Sequence, residues 1–321
     1  MSTLDIKPLI PGRKFGARIV GITAEQTVDP VVREEVNALF EAKGLIVFED
    51  VEPSARMHVA LSDIFGPLKD HPSKAVPRVD QENFPGVIDM NCKPFPPGRI
   101  EVKGREMTQW LPWHFDHAYN NELNRAGVLR AVDIPPQDGL TGFVDGIELY
   151  EALSPELREK IDGRNILYRM NVLMKDYHFG KPDDLHVLHE NAGVQPVMDE
   201  AVGVPRALHP AVWTRASGEK VLHVSPWMAE GIEDDETPEG NALLEAVSRE
   251  IYAHGETLAY WHQWKPTDML IWDNWRALHA VSGHDPQYSR RMHRTTIKGD
   301  YGLGKFEGGA SSDAKVLERT Y

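Results

Sequence analysis

Short runs of β-type residues, separated by turn residues, recur from one end of the chain to the other. Residues 15–22 (FGARIVGI), 45–50 (LIVFED), 141–145, 211–214, 220–224, 257–264, 269–272 and 288–297 each read as a strand. Ser217-Gly218 is a hairpin turn signal between two of them. Helices are few. Val32, Val36, Leu39 and Phe40 have helical spacing over 31–43, with Gly44 as the stop. Ser54 opens a second helix that breaks at Gly66-Pro67, and Ser154-Pro155 and Thr237-Pro238 open two more, ending at Gly163 and Gly255. Many short strands with few helices predict a mainly β fold, a double-sheet barrel or jelly roll with helical insertions.

At 321 residues, with 41% apolar and 26% charged side chains, the chain reads as one globular domain spanning residues 1–321. The stretch 92–112, rich in Pro, Gly and charge, reads as a long surface loop and a candidate lid. Cys92 is the single cysteine, which rules out a disulfide framework and suits a reducing cytoplasm. Net charge is −14, from 49 acids against 35 bases. Such a surface lacks the clustered cations that nucleic acid or an anionic membrane demands. No secretory signal and no uninterrupted run of apolar residues long enough to span a bilayer is visible. What remains is the expectation of a soluble, intracellular, acidic protein, read as an enzyme.

Chemistry concentrates at Trp113-His114-Phe115-Asp116. Positions two apart on a strand share a face, so His114 and Asp116 can present an imidazole and a carboxylate to one ion. Downstream lies Trp272-Asp273-Asn274, followed by His279. Two histidines and a carboxylate form the facial triad of non-haem Fe(II) oxygenases. On their own, His114 and Asp116 read more readily as a structural His–Asp pair than as metal ligands. Beyond His279, Arg290, Met292 and Arg294 alternate along a strand-like run and share a face. Inward guanidinium groups are costly unless they meet anions, and their planar fork suits a carboxylate. Arg290 stands 11 residues after His279, the layout expected for iron plus a dicarboxylate co-substrate.

With these residues in place, the sequence resembles the TauD/TfdA family of Fe(II)- and 2-oxoglutarate-dependent dioxygenases. The resemblance runs through GARIVGI, KGLIVFED, DIFGPLKDHP, WHFDH, YEALSPELREKI, HPAVW, TDMLIWDN, His279 and RRMHRTTIKGD, nearly the whole chain. It implies a double-stranded β-helix, or jelly roll. It implies His114, Asp116 and His279 as iron ligands, and Arg290 and Thr141 as partners of the distal carboxylate of 2-oxoglutarate. Arg294 and His71 match positions that hold a substrate anion in taurine dioxygenase, and Arg294 is also placed near the metal-bound end of 2-oxoglutarate. Implied too are O2 as oxidant, release of succinate and CO2, hydroxylation of an unactivated C–H bond in a small anionic substrate, and self-association of the chain. Asp116 argues against halogenation, since halogenating relatives lack the carboxylate ligand.

Two departures from taurine dioxygenase stand out. Trp110 replaces an asparagine four residues before the first ligand, and His117 replaces a valine after the iron carboxylate. Both point to a substrate other than taurine and place Trp110 and His117 in the substrate pocket. Arg276 stands one place later than the arginine of the family's usual WDNR run. A zinc hydrolase using the same three ligands, or a non-catalytic small-acid binder, are the alternatives. A hydrolase would have no use for Arg290 and Thr141. Of the other clusters, His186 and His189 read as a solvated loop, Trp261, His262 and Trp264 as sheet packing, and Trp227 and Met228 as core or pocket wall.

Overall fold

The computed structural model describes residues 4–71, 73–90 and 97–309. Two large sheets carry the site. One has eight strands, in the order Asp5–Pro8, Ala17–Val20, Leu45–Glu49, Met269–Asp273, Ala126–Asp133, Arg291–Ile297 and Leu68–Lys69, with Ile88–Met90 also paired to Arg291–Ile297. The other has six, in the order His186–His189, Arg99–Val102, Arg105–His114, Ala277–His284, Thr141–Asp145 and Tyr260–His262. Ala17–Val20 and Leu45–Glu49 run parallel; the other pairings around the site are antiparallel. This is the mainly β jelly roll that the strand pattern predicts.

The sheets meet through apolar side chains. Phe143 and Ala277 of the six-stranded sheet pack with Leu45, Leu129, Leu270 and Trp272 of the other. The run LIVFE is buried on both faces, which explains its unbroken hydrophobicity. Leu45 and Val47 face the opposite sheet, while Ile46 and Phe48 face the helix Pro30–Lys43. Asp29 caps that helix by accepting from the amides of Val31 and Val32, and Gly44 ends it at φ 70. Val32, Val36 and Phe40 form its buried stripe, each contributing roughly 1.5–3 kcal/mol by leaving water.

The long helix Pro238–Leu258 covers the six-stranded sheet, with Leu244, Val247 and Ile251 beside Trp113, Val144 and Leu278. Thr237 caps it as read from the sequence. It does not stop at Gly255, however. That glycine lies against the Trp113 indole, where a Cβ would come within 2.4 Å of Nε1, so packing rather than termination requires it. Ser154, read as a cap, makes no side-chain cap bond.

The stretch 92–112 also differs from its reading as a loop. Residues 92–96, Cys92 among them, lie outside the described residues. Beyond them, Arg99–Val102 and Arg105–His114 form an antiparallel hairpin turning at Lys103 and Gly104, both at positive φ. Its charged residues face solvent, whereas Ile100, Val102 and Met107 bury with Leu185. The polar composition therefore marks one face of an edge hairpin.

Candidate active site

His114 ends its strand, and His279 sits directly opposite it on the neighbouring strand. Asp116 follows just beyond the strand end. The ligand atoms of His114, Asp116 and His279 lie within 4.8 Å of one another, and all three residues are buried. The Nδ1–H of His114 donates to the carbonyl of Pro112 at 2.8 Å, which leaves Nε2 as the lone-pair nitrogen. Asp116 Oδ1 lies 3.8 Å from His279 Nε2, while Oδ2 is buried without a partner.

Electrostatics suit a divalent cation. Burial works to raise the Asp116 carboxyl, but Arg294, then His279, more than reverse that and hold it below the usual carboxylate range. Burial pushes His114 down and His279 well down, so both imidazoles stay neutral. Two neutral imidazoles and one carboxylate with an unpartnered buried oxygen form a metal site.

A cavity of about 370 Å³ opens at these three residues, between the two sheets. Arg290, Met292 and Arg294 all line it, so the shared face read from the sequence is present. Arg290 is buried; its Nε donates to the Gly139 carbonyl at 2.9 Å and its Nη2 to Thr141 Oγ1 at 3.1 Å. Trp264 Nε1 donates to the same Oγ1 at 3.0 Å. Two N–H donors use both lone pairs of the Thr141 hydroxyl, which must direct its own proton to another acceptor. Arg294 Nη1 bonds Asp116 Oδ1 at 2.8 Å, so it neutralises the metal carboxylate while also lining the cavity.

His71 and His117 stand edge to face at the same cavity, 5.4 Å apart. His71 Nδ1 accepts from the Ser73 amide at 3.1 Å. Burial lowers His71 to about 3 and holds His117 well below its ordinary value, so both are neutral. His117 adopts φ 60, the left-handed turn that follows the ligand pair.

Trp110 does not line this cavity. His279 pairs with His114 and Val281 with Leu111, so Pro112 and Trp113 together oppose Ala280 alone. This bulge reverses the side-chain alternation. Strict alternation would place residue 110 beside His114, but Gln109 and Leu111 take the cavity face instead. The indole packs near Tyr177 and lines two adjoining hollows.

Several contributors were not legible in the sequence. Tyr119, Met170, Val172, Val194 and Val197 complete the cavity wall beside Trp227 and Met228, the two residues that the sequence left as core or pocket wall. The Asn274 side chain accepts from the Asp116 amide at 2.8 Å and donates to the Asp116 carbonyl at 3.1 Å and to Asn124. The WDN run was its signal. Arg276 forms a buried bidentate pair with Asp145, at 2.8 and 2.7 Å, joining adjacent strands behind the site. Arg125 bonds Asp273 and stacks on Trp275. His186 and His189 lie on an edge strand, away from the metal cluster.

The sequence matches the family described as "Taurine catabolism dioxygenase TauD, TfdA family" over residues 5–296. The chain belongs to this family. Its relatives include pentalenolactone F synthase of Streptomyces arenae, 26% identical over 91% of this chain and 94% of that protein. The α-ketoglutarate-dependent 2,4-dichlorophenoxyacetate dioxygenase of Cupriavidus pinatubonensis is also 26% identical, over 89% of this chain and 95% of that one. In fold, the chain is similar to a putative α-ketoglutarate-dependent taurine dioxygenase from Burkholderia xenovorans, with a TM-score of 0.68 over 96% of this chain and 93% of that chain at 23% identity. As a TauD/TfdA member the protein is an α-ketoglutarate-dependent dioxygenase, an oxidoreductase. That membership displaces both the zinc hydrolase and the non-catalytic acid binder. Among the described residues, no helix is long and apolar enough to cross a membrane.

Proposed function

We propose that the metal is Fe(II), held by His114 Nε2, an Asp116 oxygen and His279, and that 2-oxoglutarate lies with its distal carboxylate on Arg290 and Thr141. The observation that carries this is the Thr141 hydroxyl. It already accepts from Arg290 and Trp264, so its O–H serves an anion in the cavity, next to a buried guanidinium. A zinc-bound water would need neither group. When bound, the iron supplies the oxidising chemistry by which O2 and 2-oxoglutarate become succinate and CO2, with one oxygen atom passed to a substrate C–H bond.

The chain's own residues bind, orient and keep the site dry. Arg294 screens Asp116 and, with His71, supports a substrate that carries an anionic group. Much of the remaining wall is apolar and adaptable, with Asp89, Gln109 and Asn191 among its polar members. Met90, Met170, Met228, Val76, Val172 and Trp227 line it. Thioether and aliphatic walls favour a hydrocarbon body over a body bearing an ammonium group. We therefore read the substrate as a small organic anion with an apolar body, and not as taurine. Trp110, expected in the substrate pocket, is absent from this wall, in which methionines and valines are prominent. The charge balance and lone cysteine support a cytoplasmic setting.

The test is succinate formation by the Fe(II)-loaded protein with 2-oxoglutarate and a panel of alkyl and aryl sulfonates, sulfate esters and carboxylates. Turnover should require iron and 2-oxoglutarate and favour anions with an apolar body. Efficient turnover of taurine, or a preferred substrate that is neutral or cationic, contradicts the substrate reading.

A further inference from the structure

We propose that Glu200 is a positioning residue that ties together two separate segments covering the substrate end of the cavity. The proposal rests on the reading of that cavity as the substrate site. The first segment contributes His71 and Val76, and the second contributes Asn191, Val194 and Val197. They are more than a hundred residues apart in sequence. Glu200 bridges them with one carboxylate: Oε2 accepts from the Lys74 amide at 2.9 Å, and Oε1 from the Ala75 amide at 3.1 Å. Two consecutive backbone N–H groups converging on a carboxylate form a charge-assisted pair.

The two segments differ in how firmly they are held. The first is fixed internally by Arg78. Its guanidinium grips the Asp70 carboxylate through Nε and Nη2, at 3.2 and 3.0 Å. It also donates to the carbonyls of His71, Ser73 and Lys74, at 2.9, 2.9 and 3.3 Å. The loop that presents His71 is thus a preformed unit. The second segment is weakly anchored. Its helix Gln195–Glu200 has no fully buried residue and no side-chain cap. Its apolar hold is partial, through Val197 and Ala201 against the cluster of Tyr119, Met170, Trp227 and Met228. A segment with so little burial opens at low cost. Glu200 attaches this loose segment to the rigid one, and so sets the distance between Val197 and Val76 across the substrate.

The test compares wild type with Glu200→Ala and Glu200→Gln. Glu200 is exposed, so neither change touches the core. Hydrogen exchange at the Lys74 amide should accelerate roughly ten-fold in Glu200→Ala, the scale of one lost hydrogen bond, and less in Glu200→Gln; the gain at Ala75 should be smaller, because its N–H also donates to Ser73 Oγ at 3.2 Å. In the metal-free protein, peroxide should oxidise Met170 and Met228 several-fold faster in Glu200→Ala, while the core residue Met57 keeps its rate. With 2,4-dichlorophenoxyacetate or hexyl sulfate as probe, KM should rise with kcat and the 2-oxoglutarate requirement little changed. Unaltered exchange at Lys74 and Ala75 overturns the tie. Faster exchange with unaltered Met170 and Met228 oxidation, or with unaltered KM, overturns the positioning role. If wild type turns over neither probe, the substrate reading fails separately, while exchange and oxidation still decide the role of Glu200.

Discussion

Asn274 holds Asp116 by both of its backbone groups, accepting from the amide at 2.8 Å and donating to the carbonyl at 3.1 Å. Asp116 lies just past the end of its strand, so no sheet ladder fixes it there. A fully buried carboxamide does so instead, and Asn124 shares its donor.

Replacing Asn274 by alanine should therefore weaken metal binding, by roughly 10- to 100-fold on the scale of other supporting bonds at metal sites. Asn274→Asp keeps an acceptor for the Asp116 amide but loses the donor, and should fall between the two. Calorimetric titration of the apoprotein with Fe(II), or with Mn(II) in air, reads this directly. Wild-type affinity in Asn274→Ala would show that Asp116 is positioned by other contacts.

Thr141→Val should raise the 2-oxoglutarate requirement. It preserves shape but leaves Arg290 Nη2 and Trp264 Nε1 without their shared acceptor, a loss on the order of 1–3 kcal/mol. Arg290→Ala should cost more, about 2–5 kcal/mol, and Arg290→Lys should recover only part because a point charge cannot reproduce the fork. Equilibrium binding of 2-oxoglutarate to the metal-loaded protein is the measurement. An unchanged Kd in Arg290→Ala would mean that another cation holds the co-substrate.

Met228 lines the cavity at φ 69, a left-handed backbone that favours glycine. Met228→Gly should relieve strain worth roughly 1–3 kcal/mol and enlarge the substrate end. Thermal stability should drop less than for Met170→Gly, and longer anions should gain kcat/KM while 2-oxoglutarate affinity holds. Equal losses of Tm in both variants would show that the strain is negligible.

Acid should destabilise the fold through buried histidines that are not metal ligands. Burial holds His58 and His223 at about 3, against an ordinary 6.5. Unfolding lets them take up protons below pH 6.5, so their contribution is fully present above that pH and is lost as pH falls towards 3. Each adds a slope of about 1.4 kcal/mol per pH unit within that window. His58→Gln, which can still donate to the Val128 carbonyl, should remove one such slope in urea unfolding between about pH 6 and pH 5. Parallel slopes in variant and wild type would exclude His58 as a source.

Local signals carried much of this site. The β runs, the caps at Ser54 and Thr237, the His114–Asp116 spacing and the shared face of Arg290, Met292 and Arg294 depend on neighbours within a few residues. What escaped depends on the third dimension. The bulge at Pro112-Trp113 reverses which side of the strand Trp110 occupies, and it is visible only against Ala280 on the next strand. Gly255 looks like a stop until Trp113 is placed against it. Asp145 and Arg276 pair across 131 residues, and the cavity wall from Met170 to Val197 is brought over the metal only by the folded chain.

Isotope balance tests the central claim. Succinate and CO2 together contain one more oxygen atom than 2-oxoglutarate, and in a dioxygenase that atom comes from O2. Under ¹⁸O2, with Fe(II), 2-oxoglutarate and an accepted anionic substrate, wild type should form succinate carrying one ¹⁸O and product carrying the other, and Asp116→Ala should form neither. Absence of labelled succinate from wild type across the anion panel, or wild-type labelling by Asp116→Ala, would contradict the account.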